Sequence, residues 1–309
     1  MKVYSASEIR NIAILGHSGC GKTTVAEVAL NVSGVTTRIG KVEEGNTVSD
    51  YDQEEIKRKV SISSSIIPVE WQNVKINFID TPGYFDFSGE VKQAVAGADL
   101  ALIVVSAKSG VEVGTEKAWE AAEEAGIPKM FFVNGMDDEN ADLDKVIEGL
   151  TQNFGKSIAP LQVPFKENGK FAGFVNVIKK EGRKFAGGKT SPCEIPAGME
   201  DEVDTMRLVL EEAVAETSDE LMDKFFEEIR FEADELQNAV SAGILQGAVT
   251  PVICGSAVQI IGVPAMLDSI VKFVPSAKEL RPSVTAKNAK NDEDIKVNCD
   301  EAEPFSAFV

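Results

Sequence analysis

The run Gly16-His17-Ser18-Gly19-Cys20-Gly21-Lys22-Thr23 sets two glycines around four residues, immediately ahead of a lysine and a threonine. It follows the short apolar stretch Asn11-Ile12-Ala13-Ile14-Leu15 and opens a helical pattern from Lys22 to Val32, which Gly34 closes. Glycines let consecutive backbone N–H groups converge on an anion, and a helix N-terminus adds a favourable dipole. That chemistry suits the phosphates of a nucleoside triphosphate. Lys22 would reach the outer phosphates, Thr23 would ligate magnesium, and Thr24 continues the turn that faces them.

Three further segments extend this chemistry. Asp80-Thr81-Pro82-Gly83 ends the alternating stretch Val74 to Ile79. A carboxylate there suits a magnesium site, and the Gly83 N–H suits a γ-phosphate whose loss it would register. Asn134-Gly135-Met136-Asp137 follows the apolar run Met130-Phe131-Phe132-Val133. A carboxylate at Asp137 would accept paired hydrogen bonds from the ring N–H and amino group of guanine, a pair that adenine lacks. Ser256-Ala257, after Val252-Ile253-Cys254, would meet the guanine carbonyl through its backbone. Together these segments select GTP or GDP with Mg2+.

The elements that must position these residues alternate in type. Short apolar runs, including the continuous Leu100-Ala101-Leu102-Ile103-Val104-Val105, read as strands of a mostly parallel sheet buried on both faces. Helices are expected over Thr115 to Ala125 and Asp142 to Phe154, so the fold class is α/β with helices on both sheet faces. After Pro160 the pattern changes. Leu161 to Lys189 reads as two or three antiparallel strands with turns at Asn168-Gly169, Glu181-Gly182 and Gly187-Gly188. Asp201 to Glu216 and the stretch through Ile229 then have helical spacing. The parallel pattern returns near Thr250, with a helix over Val263 to Val274. Residues 1–160 and 250–280 therefore read as a discontinuous nucleotide-binding domain, with 161–249 an inserted α+β subdomain. Residues 276–300 read as loop-like. Residues 281–309 read as a linker and the first strand, from Pro304, of a truncated second domain.

The chain has 309 residues, 43% hydrophobic and 26% charged, the balance of a globular protein. No signal peptide opens it and no apolar run reaches the length of a membrane span. Cys20, Cys193, Cys254 and Cys299 are scattered and read as reduced cytoplasmic thiols. The net charge of -19 argues against direct nucleic-acid binding over a broad face. Acidic residues far outnumber Arg207, Lys224 and Arg230 between Glu194 and Glu235, which reads as a solvated face or a dock for a basic partner. Nothing suggests more than a monomer.

With these motifs in hand, the chain resembles the GTPase domain of translational elongation factor G, in the divergent elongation-factor-G-like branch, over nearly its whole length. The resemblance implies a cytoplasmic, ribosome-associated P-loop GTPase, whose acidic insertion would contact the ribosomal stalk protein. It also implies that Asn46 to Ile62 is the first switch. There Arg58-Lys59-Val60-Ser61-Ile62 stands where the family has Arg-Gly-Ile-Thr-Ile, so Ser61 takes the place of the threonine that touches magnesium. Two further positions depart from the family. Tyr84 replaces the histidine that positions the attacking water, and the chain's single histidine, His17, lies in the phosphate loop. A phenol, with an ordinary pKa of about 10, is a poor general base, although it can hydrogen-bond water. Lys22, Gly83 and Tyr84 are thus the candidate catalytic set, with hydrolysis slow or ribosome-dependent. An alternative is a GTP-binding switch that acts by occupancy. Gly135 replaces a lysine whose stem covers the guanine, which is expected to weaken affinity more than base choice.

Overall fold

A computed structural model of the chain describes residues 2–186, 189–288 and 291–307. The first half runs β1 (Ile9–Leu15), α1 (Lys22–Val32), α2 (Gln53–Arg58), β2 (Ser65–Trp71), β3 (Val74–Asp80) and α3 (Ser88–Ala96). It continues through β4 (Leu100–Ser106), α4 (Val113–Ala125), β5 (Lys129–Asn134), α5 (Leu143–Phe154) and β6 (Ile158–Pro160). The chain then leaves the sheet for β7 (Gln162–Glu167), β8 (Lys170–Asn176), β9 (Glu181–Ala186), β10 (Lys189–Cys193), α6 (Glu200–Ala215), α7 (Asp219–Phe226) and α8 (Ala233–Gln246). It re-enters with β11 (Thr250–Gly255) and α9 (Val263–Phe273), followed by α10 (Ala277–Leu280), β12 (Ser283–Lys287) and β13 (Asp294–Asn298).

The main sheet has the order β2-β3-β1-β4-β5-β11-β6. Every pair is parallel except β2 with β3, which close as an antiparallel hairpin. Leu100 to Val105 are all buried, as a central strand covered by helices on both faces must be. The core accordingly divides into two clusters. Ile12, Ile14, Leu102 and Val104 face one side, and Ala13, Leu15, Ile103 and Val105 the other. The parallel strands point their C-terminal ends at one edge, and β1, β3, β5 and β11 all end there in residues singled out from the sequence.

The insertion forms a four-stranded antiparallel sheet, β10-β9-β8-β7, where two or three strands were expected. The Gly187-Gly188 turn lies outside the described residues. Helices α6 and α8 do not build a separate core. Val203, Leu210, Val240 and Ile244 join the same buried cluster as Ile12 and α9's Leu267. Residues 276–300 are not loop-like as expected, because α10 and the β12–β13 hairpin form there. The strand expected from Pro304 is not formed over 304–307, where no strand among the described residues pairs with its backbone; 308 and 309 lie outside the described residues. Among the described residues no helix is long and apolar enough to cross a membrane.

Candidate functional site

The phosphate loop is shaped by its glycines, with Gly16, Gly19 and Gly21 at φ 138, 82 and 95. Gly21 is the N-cap of α1 and no side chain caps that helix, so the first-turn N–H groups stay available to an anion. The Lys22 ammonium folds back on the loop and donates to the carbonyls of Gly16 and His17 at 3.0 and 2.9 Å. Ser18, Gly19, Gly21, Lys22, Thr23 and Thr24 wall a pocket of about 340 Å³, closed on its far side by Lys59, Ser61, Gly83 and Tyr84. Gly16, His17 and Cys20 contribute backbone to the loop without lining this pocket.

Three residues proposed for magnesium from separate segments meet here. Thr23 Oγ1 donates to Asp80 Oδ2 at 2.8 Å and lies 3.3 Å from Ser61 Oγ. The other carboxylate oxygen of Asp80 is buried with no hydrogen-bond partner among the described residues. Burial pushes the Asp80 carboxyl up to about 6, against the opposing pull of the Thr23 hydroxyl and the Lys22 ammonium. Sequence reasoning missed a second carboxylate beside them. Asp50 is 4% exposed, neither of its oxygens has a hydrogen-bond partner among the described residues, and burial raises its pKa. No motif marks Asp50 in the sequence; it reaches the site only when the first switch folds over α1. Hydroxyl and carboxylate oxygens, both carboxylates under-satisfied, suit a hard divalent cation that takes its remaining ligands from phosphate and water. Among the described residues no three or more His, Cys, Asp or Glu side chains cluster so as to hold a metal by themselves.

Gly83 presses against the loop. A Cβ at that position would lie 2.5 Å from Lys22 Nζ and 2.8 Å from Ser18 Cα, so only glycine lets the Asp80–Gly83 turn approach so closely. Tyr84 follows, 46% exposed, as the N-cap of a short turn over Phe85–Phe87. It lines the phosphate pocket and also a groove of about 370 Å³ between that turn, α3 and α4. His17 is turned elsewhere. Its Nδ1 accepts from the Gly114 N–H at 3.2 Å, which leaves Nε2 facing the Glu112 carboxylate at 3.7 Å. The imidazole thus braces the start of α4 and is not offered to the pocket.

At the base end, Asn134 is a tie between loops. Its Nδ2 donates to the Cys20 carbonyl at 2.9 Å, and its Oδ1 accepts from the Ala257 N–H at 3.0 Å. Ser256 is fully buried and pairs with Ile261, and the Met136 N–H donates to the Gly255 carbonyl. Asp137 is exposed, and among the described residues its carboxylate has no partner. Gly135 has φ +85 with open space around a notional Cβ, so no described residue fills the volume where the family's lysine stem would begin.

Residues 7–276 match the family described as the elongation factor Tu GTP binding domain, most of the chain. The chain belongs to that family. A crystal structure of a protein from Thermus thermophilus superposes with a TM-score of 0.84 at 33% identity, covering 90% of this chain and 42% of that one. The chain therefore spans less than half the length of that relative. The sequence resemblance to elongation factor G agrees with this membership. The fold is that of a translational GTPase domain, and guanine-nucleotide binding is the property its family carries.

Proposed function

We propose that this translational GTPase domain binds GTP with magnesium and hydrolyses it as part of a cytoplasmic, monomeric elongation-factor-G-like protein acting on the ribosome. The observation that carries the reading is the meeting of Thr23, Ser61 and Asp80, drawn from three segments, beside the Lys22 loop. Magnesium, when bound, would neutralise charge on the outer phosphates, with Thr23 and Ser61 as oxygen donors and Asp80 behind them. The first-turn N–H groups of α1 bind the phosphates, Lys22 exchanges its loop carbonyls for them, and the Gly83 N–H follows the γ-phosphate. Asn134 holds the base loop against the phosphate loop, where Asp137 accepts from guanine and the Ser256-Ala257 backbone meets its carbonyl.

Tyr84 is the group available to orient water. A phenol orients by hydrogen bonding and does not take up a proton readily at neutral pH, so intrinsic turnover is slow. That favours a second reading, a switch that acts by occupancy, and His17, engaged with Gly114 and Glu112 and not with the phosphate pocket, supports it. Single-turnover hydrolysis by the longer protein, with and without ribosomes, separates the two. Ribosome-stimulated turnover supports the enzyme; no stimulation supports the switch. A Tyr84→Phe variant with undiminished rate would remove Tyr84 from the mechanism.

The acidic insertion is the proposed contact for the stalk protein. Two of its cations are consumed internally: Arg207 is buried against Glu211 and the carbonyls of Val177, Ile178 and Phe231, and Lys224 pairs with Glu235. The outer faces of α6 and α7, with the capping residue Glu216 between them, thus present Asp201, Asp219, Glu220 and Asp223 to a basic partner, while Asp204 is taken up by Lys180.

A further inference from the structure

One buried carboxylate near the site takes no part in the mechanism above. Glu27 lies one helical turn after Thr23, on the same face of α1. It is 1% exposed, and among the described residues no Lys, Arg or His forms an ion pair with it. Its partners are two backbone N–H groups of the first switch and the stretch leading into it. Oε2 accepts from Gly40 at 2.8 Å, and Oε1 accepts from Val48. The chain between these anchors is therefore looped over α1 and pinned at both ends by one side chain.

We propose that Glu27 is a positioning residue for the magnesium site, clasping the first switch so that Asp50 stands beside Thr23 and Asp80. The inference rests on the reading of those residues as the magnesium site. Asp50 lies two residues beyond the Val48 anchor, and the Asp50 N–H is in turn held by the Thr47 hydroxyl at 3.3 Å. Just before it the Ser49 carbonyl accepts from the Ser65 hydroxyl of β2 at 2.8 Å, which ties the segment to the sheet. The physical coupling runs through the cost of an unpaired buried charge. If the switch lifts, the Glu27 carboxylate loses both donors that make its burial tolerable. A closed switch satisfies Glu27 and completes the cation's oxygen set at once. By linkage, a cation that favours the closed switch is itself bound more tightly when the clasp is intact.

Gly40 gives an independent handle on the same clasp. Its φ is not in the left-handed region, so alanine is allowed by the backbone, yet a Cβ there would lie 2.6 Å from Glu27 Oε2 and 2.7 Å from Thr47 Cα. Gly40→Ala therefore pushes the clasp apart without altering α1. Glu27→Gln keeps the side chain's shape but turns an amide NH2 towards one of the two N–H groups.

The test is GTP affinity by calorimetry over a series of free magnesium concentrations, for the full chain and both variants, with melting temperature measured alongside. Loss of one charge-assisted bond predicts that the half-saturating magnesium concentration rises by about tenfold in each variant. Affinity in EDTA stays within about twofold of the parent. A purely structural Glu27 would lower the melting temperature and leave the magnesium dependence unmoved. If either folded variant keeps its half-saturating magnesium within about twofold of the parent, the clasp is overturned. Should Glu27→Gln not fold, Gly40→Ala decides alone. A parent chain with no magnesium-dependent GTP binding would instead sink the nucleotide reading, and the clasp with it.

Discussion

Asn134 uses both ends of its amide to hold two loops together, one bond to the Cys20 carbonyl and one from the Ala257 N–H. Its removal leaves two backbone groups without partners at the junction of the phosphate and base loops. Asn134→Ala is therefore expected to cost about 1–3 kcal/mol in denaturant unfolding and to weaken GTP and ATP binding together. Asp137 differs, because its carboxylate holds nothing in the fold and its loss is expected only in the choice of base. The motif positions around Lys22, Thr23, Asp80 and Asp137 were legible because their chemistry follows from residue type and from position at a strand end. Asp50 and Glu27 were not. Each is an acidic residue in an ordinary sequence setting, and burial beside the site comes only from tertiary folding of the first switch.

At the scale of elements, the first switch carries a departure with a backbone consequence. Lys59 stands where the family has glycine, and it is the C-cap of α2 at φ 57. A side chain in that left-handed conformation is strained, whereas glycine is not. Lys59→Gly is thus expected to stabilise the unliganded domain by about 1 kcal/mol, read as a shift in the denaturant midpoint with unchanged slope. An unmoved or lowered midpoint would show that the lysine's own contacts outweigh the strain. Elements with a strong local signal were legible: α1 matches its expected bounds, and α5 begins directly after Asp142, which caps it. Others hid for physical reasons. Strand β2 carries Pro68 and exposes Ile66, tolerable because it is the sheet's edge strand. Helix α3 opens on Ser88-Gly89 and buries little besides Ala94 and Val95, so no apolar stripe announces it. The β12–β13 hairpin is exposed along most of its length and lacks the alternation that burial of one face would impose.

For the whole molecule, the insertion and the nucleotide-binding sheet share one buried cluster. The discontinuity visible in the sequence therefore does not imply independent folding. Leu210 of α6 is fully buried, and Leu210→Ala is expected to cost about 2–5 kcal/mol. The two tryptophans, Trp71 and Trp119, both lie outside the insertion, so their fluorescence should report the same lowered midpoint as far-UV circular dichroism. A tryptophan signal that keeps its parent midpoint would show that the insertion unfolds separately. The change of strand pattern after Pro160 and near Thr250 was legible, but the shared core was not, since periodicity says which face is buried and not against what. The molecule is expected to select guanine and to use magnesium in binding it. Calorimetric titration with GTP, GDP and ATP, with and without magnesium, tests it most directly. Two charge-assisted bonds to Asp137 predict GTP binding at least about 100-fold tighter than ATP. They also predict loss of that advantage in Asp137→Asn, and the magnesium site predicts weaker GTP binding without the metal. Comparable affinity for ATP and GTP in the parent chain would show that the domain does not select guanine.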